Sequence, residues 1–149
     1  MTRATLTAKQ AGLQPGATTA PPLRDLADFF ATLADPSRLA MLALLQRHGE
    51  LCVCDIQEVL GVTQSRASRH LQALRSVGLV QDRRVGIWVY YRAADRPGPR
   101  QGLLLKLLPK LVDESAVTDI DRKLATWRRQ RDEDPCAAER KLSRRGSRR

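Results

Sequence analysis

The chain has 149 residues, of which 42% are hydrophobic and 28% are charged, and its formal net charge is +10. This length is typical of one domain, and no apolar run approaches the roughly 18 residues of a membrane-spanning helix, so we do not expect a membrane protein. Residues Met1–Ala20 are polar and lack the apolar centre of a secretory signal. We therefore expect a cytoplasmic protein whose three cysteines are reduced.

The positive charge is concentrated near the C-terminal end. Residues 122–149 contain eleven Arg or Lys and four Asp or Glu, whereas residues 1–121 contain fifteen and twelve. A basic surplus is typical of chains that bind nucleic acid. We predict a flexible arm (residues 1–20), a folded domain (residues 21–131) and a basic, disordered tail (residues 132–149).

Helical periodicity dominates the folded domain, because apolar residues recur at spacings of three and four. The predicted helices cover residues 23–34, 36–49, 54–60, 64–76, 101–114 and 118–131. Asp35 and Thr63 are predicted to cap the second and fourth of them. After Gly78 the period changes to two, which predicts a β-hairpin with strands 79–83 and 87–92 and a basic tip at residues 84–86.

Two short helices joined by Gly61-Val62-Thr63 are typical of a helix-turn-helix, and the hairpin that follows makes the motif winged. The sequence thus predicts a mainly α fold with a β-hairpin wing. The second helix of such a pair lies in the DNA major groove, while basic side chains contact phosphates. The predicted DNA contacts are Gln64, Ser65, Ser68 and Arg69 at base edges, Arg66 and Arg75 at phosphates, and Arg83 and Arg84 on the hairpin. His70 is on the inner face and is interpreted as a packing residue.

Four segments in this order resemble the ArsR/SmtB family of metal- and metalloid-responsive repressors. They are Leu33-Ala34-Asp35-Pro36-Ser37-Arg38-Leu39, Glu50-Leu51-Cys52-Val53-Cys54-Asp55, Ser68-Arg69-His70-Leu71 with Gly78-Leu79-Val80, and Arg83-Arg84 with Gly86, Trp88 and Tyr91. The resemblance covers residues 23–95 and extends to about residue 130 through the helical end. It implies a homodimer built from the first and last core helices, which binds operator DNA without effector and releases it when the effector binds.

The pair Cys52 and Cys54 is the predicted effector site. Thiols at i and i+2 diverge on a helix but share a face on an extended segment, so we place Cys54 at the helix N-cap and Cys52 before it. A helix N-terminus stabilises thiolate, and thiolates select soft ions. Arsenite and antimonite favour three sulfurs, and Cys136 is the third cysteine of the chain.

The sequence departs from the arsenic-sensing branch that it resembles, because Gln57 stands where that branch has its third cysteine. Cys136, from the same or the partner subunit, is either the substitute ligand or a free surface thiol. Methylated trivalent arsenic needs only the two thiols of the pair. The zinc-sensing branch needs histidines on the last helix, whereas the histidines here are His48 and His70, and no cysteine precedes Cys52 as in the cadmium- and lead-sensing branch.

Three other functions are weighed against an arsenite-responsive repressor. A thiol redox switch would use the same cysteines. A cysteine-dependent enzyme is disfavoured, because a nucleophilic thiol needs a nearby base and neither histidine has a recognisable catalytic context. A protein that coats nucleic acid without specificity would depend on the Arg-rich tail. The sequence leaves open the operator, the regulated genes and the choice among arsenite, antimonite and methylarsenite.

Overall fold

A computed structural model describes residues 22–133, and within this range it contains six helices and three short strands. In chain order they are α1 (Leu23–Leu33), α2 (Pro36–His48), β1 (Leu51–Cys52), α3 (Val53–Leu60), α4 (Gln64–Ser76), β2 (Val80–Val85), β3 (Trp88–Ala93), α5 (Pro99–Leu111) and α6 (Glu114–Glu133). The predicted mainly α fold with a β-hairpin wing is confirmed. None of these helices is both long and apolar enough to cross a membrane. The predicted arm, the tail beyond Glu133 and Cys136 lie outside the described residues.

Local side-chain chemistry sets the starts of α2 and α4, as predicted. The Asp35 carboxylate accepts a hydrogen bond from the backbone N–H of Arg38 at 3.1 Å, and Pro36 occupies the first helical position. The Thr63 hydroxyl accepts from the N–H of Arg66 at 3.4 Å. Both caps satisfy amides that have no partner inside their own helix.

The start of α3 differs from the prediction. Cys52, and not Cys54, is the N-cap, and the helix already includes Val53. The reason is an additional strand, because Leu51 and Cys52 pair with Tyr91 and Tyr90 of β3 in a sheet of order β1-β3-β2. A strand of two residues has no periodicity that the sequence can reveal.

The hairpin turn also differs from the prediction. Strands β2 and β3 pair from Val80 opposite Ala93 to Val85 opposite Trp88, so the turn consists of Gly86 and Ile87. Gly86 has a φ of +59°, which a two-residue hairpin turn requires and which glycine adopts without strain. The predicted basic tip is therefore wrong, because Arg83 and Arg84 both lie within β2 and the turn that follows contains no charged residue.

The core lies between α2, α3, α4 and the sheet. Its most buried side chains are Met41, Leu42, Leu44, Leu45, Leu51, Ile56, Leu71, Leu74 and Leu79. The last helix, α6, buries Val117, Leu124 and Trp127 and packs against α3. It begins four residues before its predicted start, because the Asp113 carboxylate accepts the backbone N–H of Ser115 at 2.9 Å and stabilises an earlier first turn.

Several large apolar side chains on α1 and α5 remain exposed. They are Leu23 and Phe30 on α1, and Leu103, Leu107 and Leu111 on α5. By contrast, the exposed positions of α6 are mostly charged or polar. The predicted dimer contact through the first and last core helices stays a prediction, and the apolar surface available for it is on α1 and α5.

Candidate thiol site and nucleic-acid interface

The two predicted thiols come together at the start of α3. Cys52 is 4% exposed and Cys54 is 7% exposed. The backbone N–H of Cys54 donates to the Cys52 sulfur at 3.4 Å, so Cys52 caps the helix with its thiol. The sulfurs converge as predicted, because Cys52 is extended and Cys54 is in the first turn, although the cap itself is one cysteine earlier than expected.

The electrostatics of the pair distinguish the two sulfurs, because the pKa values of Cys52 and Cys54 shift in opposite directions. A hydrogen bond from Cys54 lowers the pKa of Cys52, and the same bond together with burial raises the pKa of Cys54. The nearby Arg131 guanidinium lowers both pKa values, and the Asp55 carboxylate raises both. Of the two sulfurs, Cys52 is therefore the one that ionises more readily, and Cys54 is the thiol that donates the hydrogen bond between them.

A buried carboxylate supports the thiol segment and was missed by sequence reasoning. Asp55 is 3% exposed and accepts three hydrogen bonds: from the Cys52 backbone N–H at 3.3 Å, the Trp127 indole Nε1 at 3.0 Å and Arg131 Nη1 at 2.7 Å. Its spacing of three residues from the cap is the signature of a capping box and was available in the sequence. Trp127 and Arg131, which are 72 and 76 residues away from Asp55, carried no such signal.

The thiol pair lies at the base of a groove of about 780 Å³ between α4 and the hairpin. Gln57, which is buried, lines the base of the groove together with the two cysteines. The α4 wall consists of Gln64, Ser68, Gln72 and Arg75. The opposite wall is formed by Asp82, Arg84, Ile87, Trp88, Val89 and Tyr91. The thiols and two of the predicted base-reading residues therefore share one groove.

The predicted base-reading residues are on the solvent side of α4. Gln64, Ser65 and Arg69 are exposed, and Ser68 is half-buried where it lines the groove. The Arg69 Nε donates to the Ser65 carbonyl at 3.2 Å, which holds its side chain along the helix. A polar, exposed first turn of this kind leaves backbone amides and side chains accessible to a ligand outside the protein.

The predicted phosphate-binding arginines fall into two groups. Arg75 forms an ion pair with Asp82 at 2.8 Å, and Arg83 forms a bidentate ion pair with Glu50 while its guanidinium lies 5.5 Å from the Tyr90 ring centre. Among residues 22–133, Arg66 and Arg84 form no ion pair and are exposed. Because side chains alternate along β2, Arg83 and Arg84 point to opposite faces of the sheet.

Both histidines have structural partners. His70 is half-buried, with Nδ1 4.0 Å from the Asp35 carboxylate, as expected for a packing residue. His48 Nε2 lies 2.7 Å from Asp121 Oδ1, and Arg47 donates to the other oxygen of Asp121, which lowers the pKa of that carboxyl. Over the described range, no group of three or more His, Cys, Asp and Glu side chains gathers as a metal site.

The model of a family described as "Bacterial regulatory protein, arsR family" matches residues 35–82. An arsenic resistance transcriptional regulator of Pseudomonas putida is 51% identical over 63 residues, which are 42% of this chain and 49% of that protein. The match thus spans about half the length of this relative. An uncharacterized helix-turn-helix transcriptional regulator of Methanocaldococcus jannaschii is 38% identical over 88 residues, which are 59% of this chain and 91% of that protein.

Two further comparisons bear on the effector and on the fold. A homolog of a cadmium resistance regulatory protein, from Staphylococcus aureus, is 37% identical over 71 residues, which are 48% of this chain and 59% of that protein. A Mycobacterium bovis domain, described as a homodimeric winged helix-turn-helix DNA-binding domain of a possible ArsR-family regulator, superimposes with a TM-score of 0.54. It is 37% identical and matches 70% of this chain and 92% of its own.

Proposed function

This chain belongs to the ArsR family of bacterial regulatory proteins, and from that premise we propose that it is a transcriptional repressor that releases its operator when trivalent arsenic binds Cys52 and Cys54. The observation that carries the proposal is the position of the thiol pair. Two buried sulfurs lie side by side at a helix start, at the base of the groove whose walls are α4 and the hairpin. A ligand bound there touches the DNA-reading elements directly.

DNA binding is supported by the exposed positive charge on α4 and β2. Arg66 on α4 and Arg84 on β2 are exposed cations without an ion-pair partner in the described part of the chain, so their charge is available to phosphates. The exposed first turn of α4 presents Gln64 and Ser65 to base edges. The net charge of +10 adds attraction that does not depend on DNA sequence.

A dimer is proposed because one short helix offers too little surface for specific binding by itself. The exposed apolar side chains of α1 and α5, among them Phe30 and Leu111, are the surface that a second copy of the chain would cover. Two recognition helices related by a two-fold axis would then read half-sites about 34 Å apart, one turn of DNA. Sedimentation of a specifically binding monomer would contradict this assignment.

The chemistry of the thiol pair suits trivalent arsenic. Arsenite at neutral pH is the uncharged As(OH)₃, and each thiol that binds forms one S–As bond while one As–O bond breaks. The thiol proton leaves with the displaced hydroxyl as water, so no net charge accumulates in the buried site. Binding by Cys52 and Cys54 alone suffices for a methylated arsenical, and arsenite itself would take a third sulfur from Cys136.

Cadmium and zinc are less well matched to the described residues. Zinc in structural sites takes four donors, and thiophilic cations of this type need ligands beyond two thiols. The S. aureus relative is described as a cadmium regulator homolog, so the effector must be tested rather than assigned by similarity. The contact between the Cys52 and Cys54 sulfurs also favours a second function, a redox switch in which peroxide oxidises the two thiols to a disulfide and is reduced to water.

One gel-shift experiment separates these functions. The full chain is mixed with the DNA upstream of its own gene and titrated in parallel with arsenite, methylarsenite, cadmium, zinc and hydrogen peroxide. We expect that only the arsenicals release the DNA and that Cys52→Ser abolishes this release. Cys136→Ser should weaken the response to arsenite in part if Cys136 is the third ligand. Release by cadmium or zinc at lower concentration than arsenite would reject arsenic, and release by peroxide that dithiothreitol reverses would support the redox switch.

A further inference from the structure

The carboxylate of Asp55 is fully buried, and neither the arsenic chemistry nor the DNA contacts use it. Its two oxygens face two different parts of the fold. Oδ2 accepts the backbone N–H of Cys52, the first of the two thiol residues. Oδ1 accepts from Trp127 and Arg131, both on α6. One side chain therefore joins the thiol segment to a helix that lies far away in the chain.

We propose that Asp55 is a positioning residue that couples the thiol pair to α6, so that occupation of the thiols changes the seating of Trp127 and Arg131. The inference rests on the proposed function, since it takes Cys52 and Cys54 as the effector site. In addition to its effect on the groove beside α4, the thiol site would then also act on α6. One face of the thiol segment adjoins the groove beside α4, and the Asp55 carboxylate connects its other side to α6.

Binding of a ligand by the two thiols changes the start of α3. In the free protein the Cys52 sulfur accepts the N–H of Cys54 as a helix cap. A ligand that bonds both sulfurs draws them toward one atom and uses one electron pair of the Cys52 sulfur. The hydrogen bond to this sulfur is thereby redirected and weakened, so the backbone of the first turn adjusts. The Cys52 amide is held by Asp55 at 3.3 Å, so an adjustment of this backbone pulls on the carboxylate.

The carboxylate cannot move without its other partners. It is 3% exposed, and Trp127 is 2% exposed, so water cannot replace a lost hydrogen bond at either group. Arg131 is one-third exposed and supplies the charge that balances Asp55. If the Asp55 carboxylate is displaced, the Trp127 indole and the Arg131 guanidinium either move with it or lose their hydrogen bonds to it. In both cases the surroundings of Trp127 change.

The experiment uses Trp127 as the reporter. The chain contains two tryptophans, so in the full-length Trp88→Phe, Cys136→Ser background Trp127 is the single one and Cys52 and Cys54 are the remaining thiols. The protein is titrated with phenylarsine oxide, which joins two thiols and loses its oxygen as water. Trp127 emission and free thiols are measured in the same samples. We expect the emission to shift in step with the loss of both thiols.

Three variants and one control decide the coupling. Asp55→Asn should still lose both thiols to the arsenical while the Trp127 shift disappears, because the amide cannot accept from both Cys52 and α6. If Asp55→Asn does not fold, Arg131→Gln takes its place, with a reduced shift that Arg131→Lys restores. Asp121→Asn removes a carboxylate that ties α6 to α2 without touching the thiols, and it should keep the full shift. A full shift in Asp55→Asn or Arg131→Gln overturns the proposal, and so does the absence of a shift in a parent that has lost both thiols.

A second reagent keeps this test independent of arsenic. If phenylarsine oxide consumes no thiols in the parent, the proposed effector class is wrong, and iodoacetamide is used to alkylate Cys52 and Cys54 instead. Trp127 emission that changes on alkylation in the parent and not in the Asp55→Asn or Arg131→Gln variant supports the coupling. Emission that changes equally in both, or in neither, overturns it.

Discussion

Helices α3 and α4 both begin at a side-chain cap whose own backbone is extended, yet the two helix starts have opposite surroundings. The cap of α3 is the Cys52 thiol, which is buried, and the carboxylate of the same turn, Asp55, is satisfied from within the protein. The cap of α4 is the Thr63 hydroxyl, and the residues after it, Gln64 to Arg66, are exposed.

This comparison shows how burial selects the ligand of a helix start. Every helix N-terminus has unpaired amides and a partial positive charge. At α3 these features act in a water-poor interior, where they favour a thiolate and a small, soft ligand that is bound covalently. At α4 they face solvent, where they favour phosphates and base edges of a large polyanion. The groove joins the two helix starts, so a ligand at one is next to the other.

The largest expected effect comes from removing the internal acceptor of the α3 start. Asp55→Ala removes the carboxylate that accepts from the Trp127 indole and the Cys52 amide, and with it the buried counter-charge of Arg131. We expect a loss of about 2–4 kcal/mol in the free energy of unfolding. Urea unfolding of the full chain measures it. Asp121→Asn, which weakens the ion pair of a half-buried carboxylate with the more exposed Arg47, is the control and should cost less than about 1 kcal/mol. Equal losses would contradict the special role of the buried carboxylate.

The next effect separates the two helix starts by function. Cys52→Ser keeps a hydroxyl that can cap α3, so the fold and the α4 surface should be retained. DNA affinity is then expected to stay the same, while the release by arsenite, which we expect to be about 5- to 150-fold in the parent, disappears. Gel shifts with and without arsenite measure both quantities. Cys54→Ser should give the same result. A double variant that still releases DNA at the parental arsenite concentration would disprove the thiol site.

Two adjacent arginines test which charges on the hairpin are available to DNA. Arg84→Ala should weaken binding to operator and random DNA alike and lower the salt dependence of binding by roughly one ion. Arg83→Ala should lower both the affinity and its salt dependence less, because Glu50 and the Tyr90 ring already hold the Arg83 guanidinium. Fluorescence anisotropy at a series of salt concentrations compares the two variants. Equal slopes for both, or a larger change for Arg83→Ala, would show that the Glu50 ion pair opens on binding.

The smallest expected effect concerns the exposed cap. Thr63→Ala removes the acceptor of the Arg66 N–H, and water reaches this helix start and replaces part of the lost bond. We expect a loss of about 1 kcal/mol in stability by urea unfolding, well below the loss for Asp55→Ala. Thr63→Ser, which keeps the hydroxyl, is the matched control and should stay near the parent. A loss for Thr63→Ala as large as that for Asp55→Ala would erase the distinction between the two helix starts.

Much of the fold and part of the site were predictable from the sequence, because they depend on neighbours in the chain. The caps at Asp35 and Thr63, the bounds of α4 and the winged helix-turn-helix arrangement all follow from spacing and turn chemistry within a few residues. The convergence of Cys52 and Cys54 was predictable for the same reason, since an extended residue before a helix turns its side chain toward the first turn.

Tertiary structure alone decided the features that depend on distant partners. β1 is a strand because β3 lies beside it, and Arg83 is held because Glu50 lies across the sheet. Asp55 is a buried link because Trp127 and Arg131 arrive from a helix more than seventy residues away. Sequence patterns report the local geometry of the backbone, whereas the partner of a buried polar group is selected by packing between elements that have no fixed spacing in the chain.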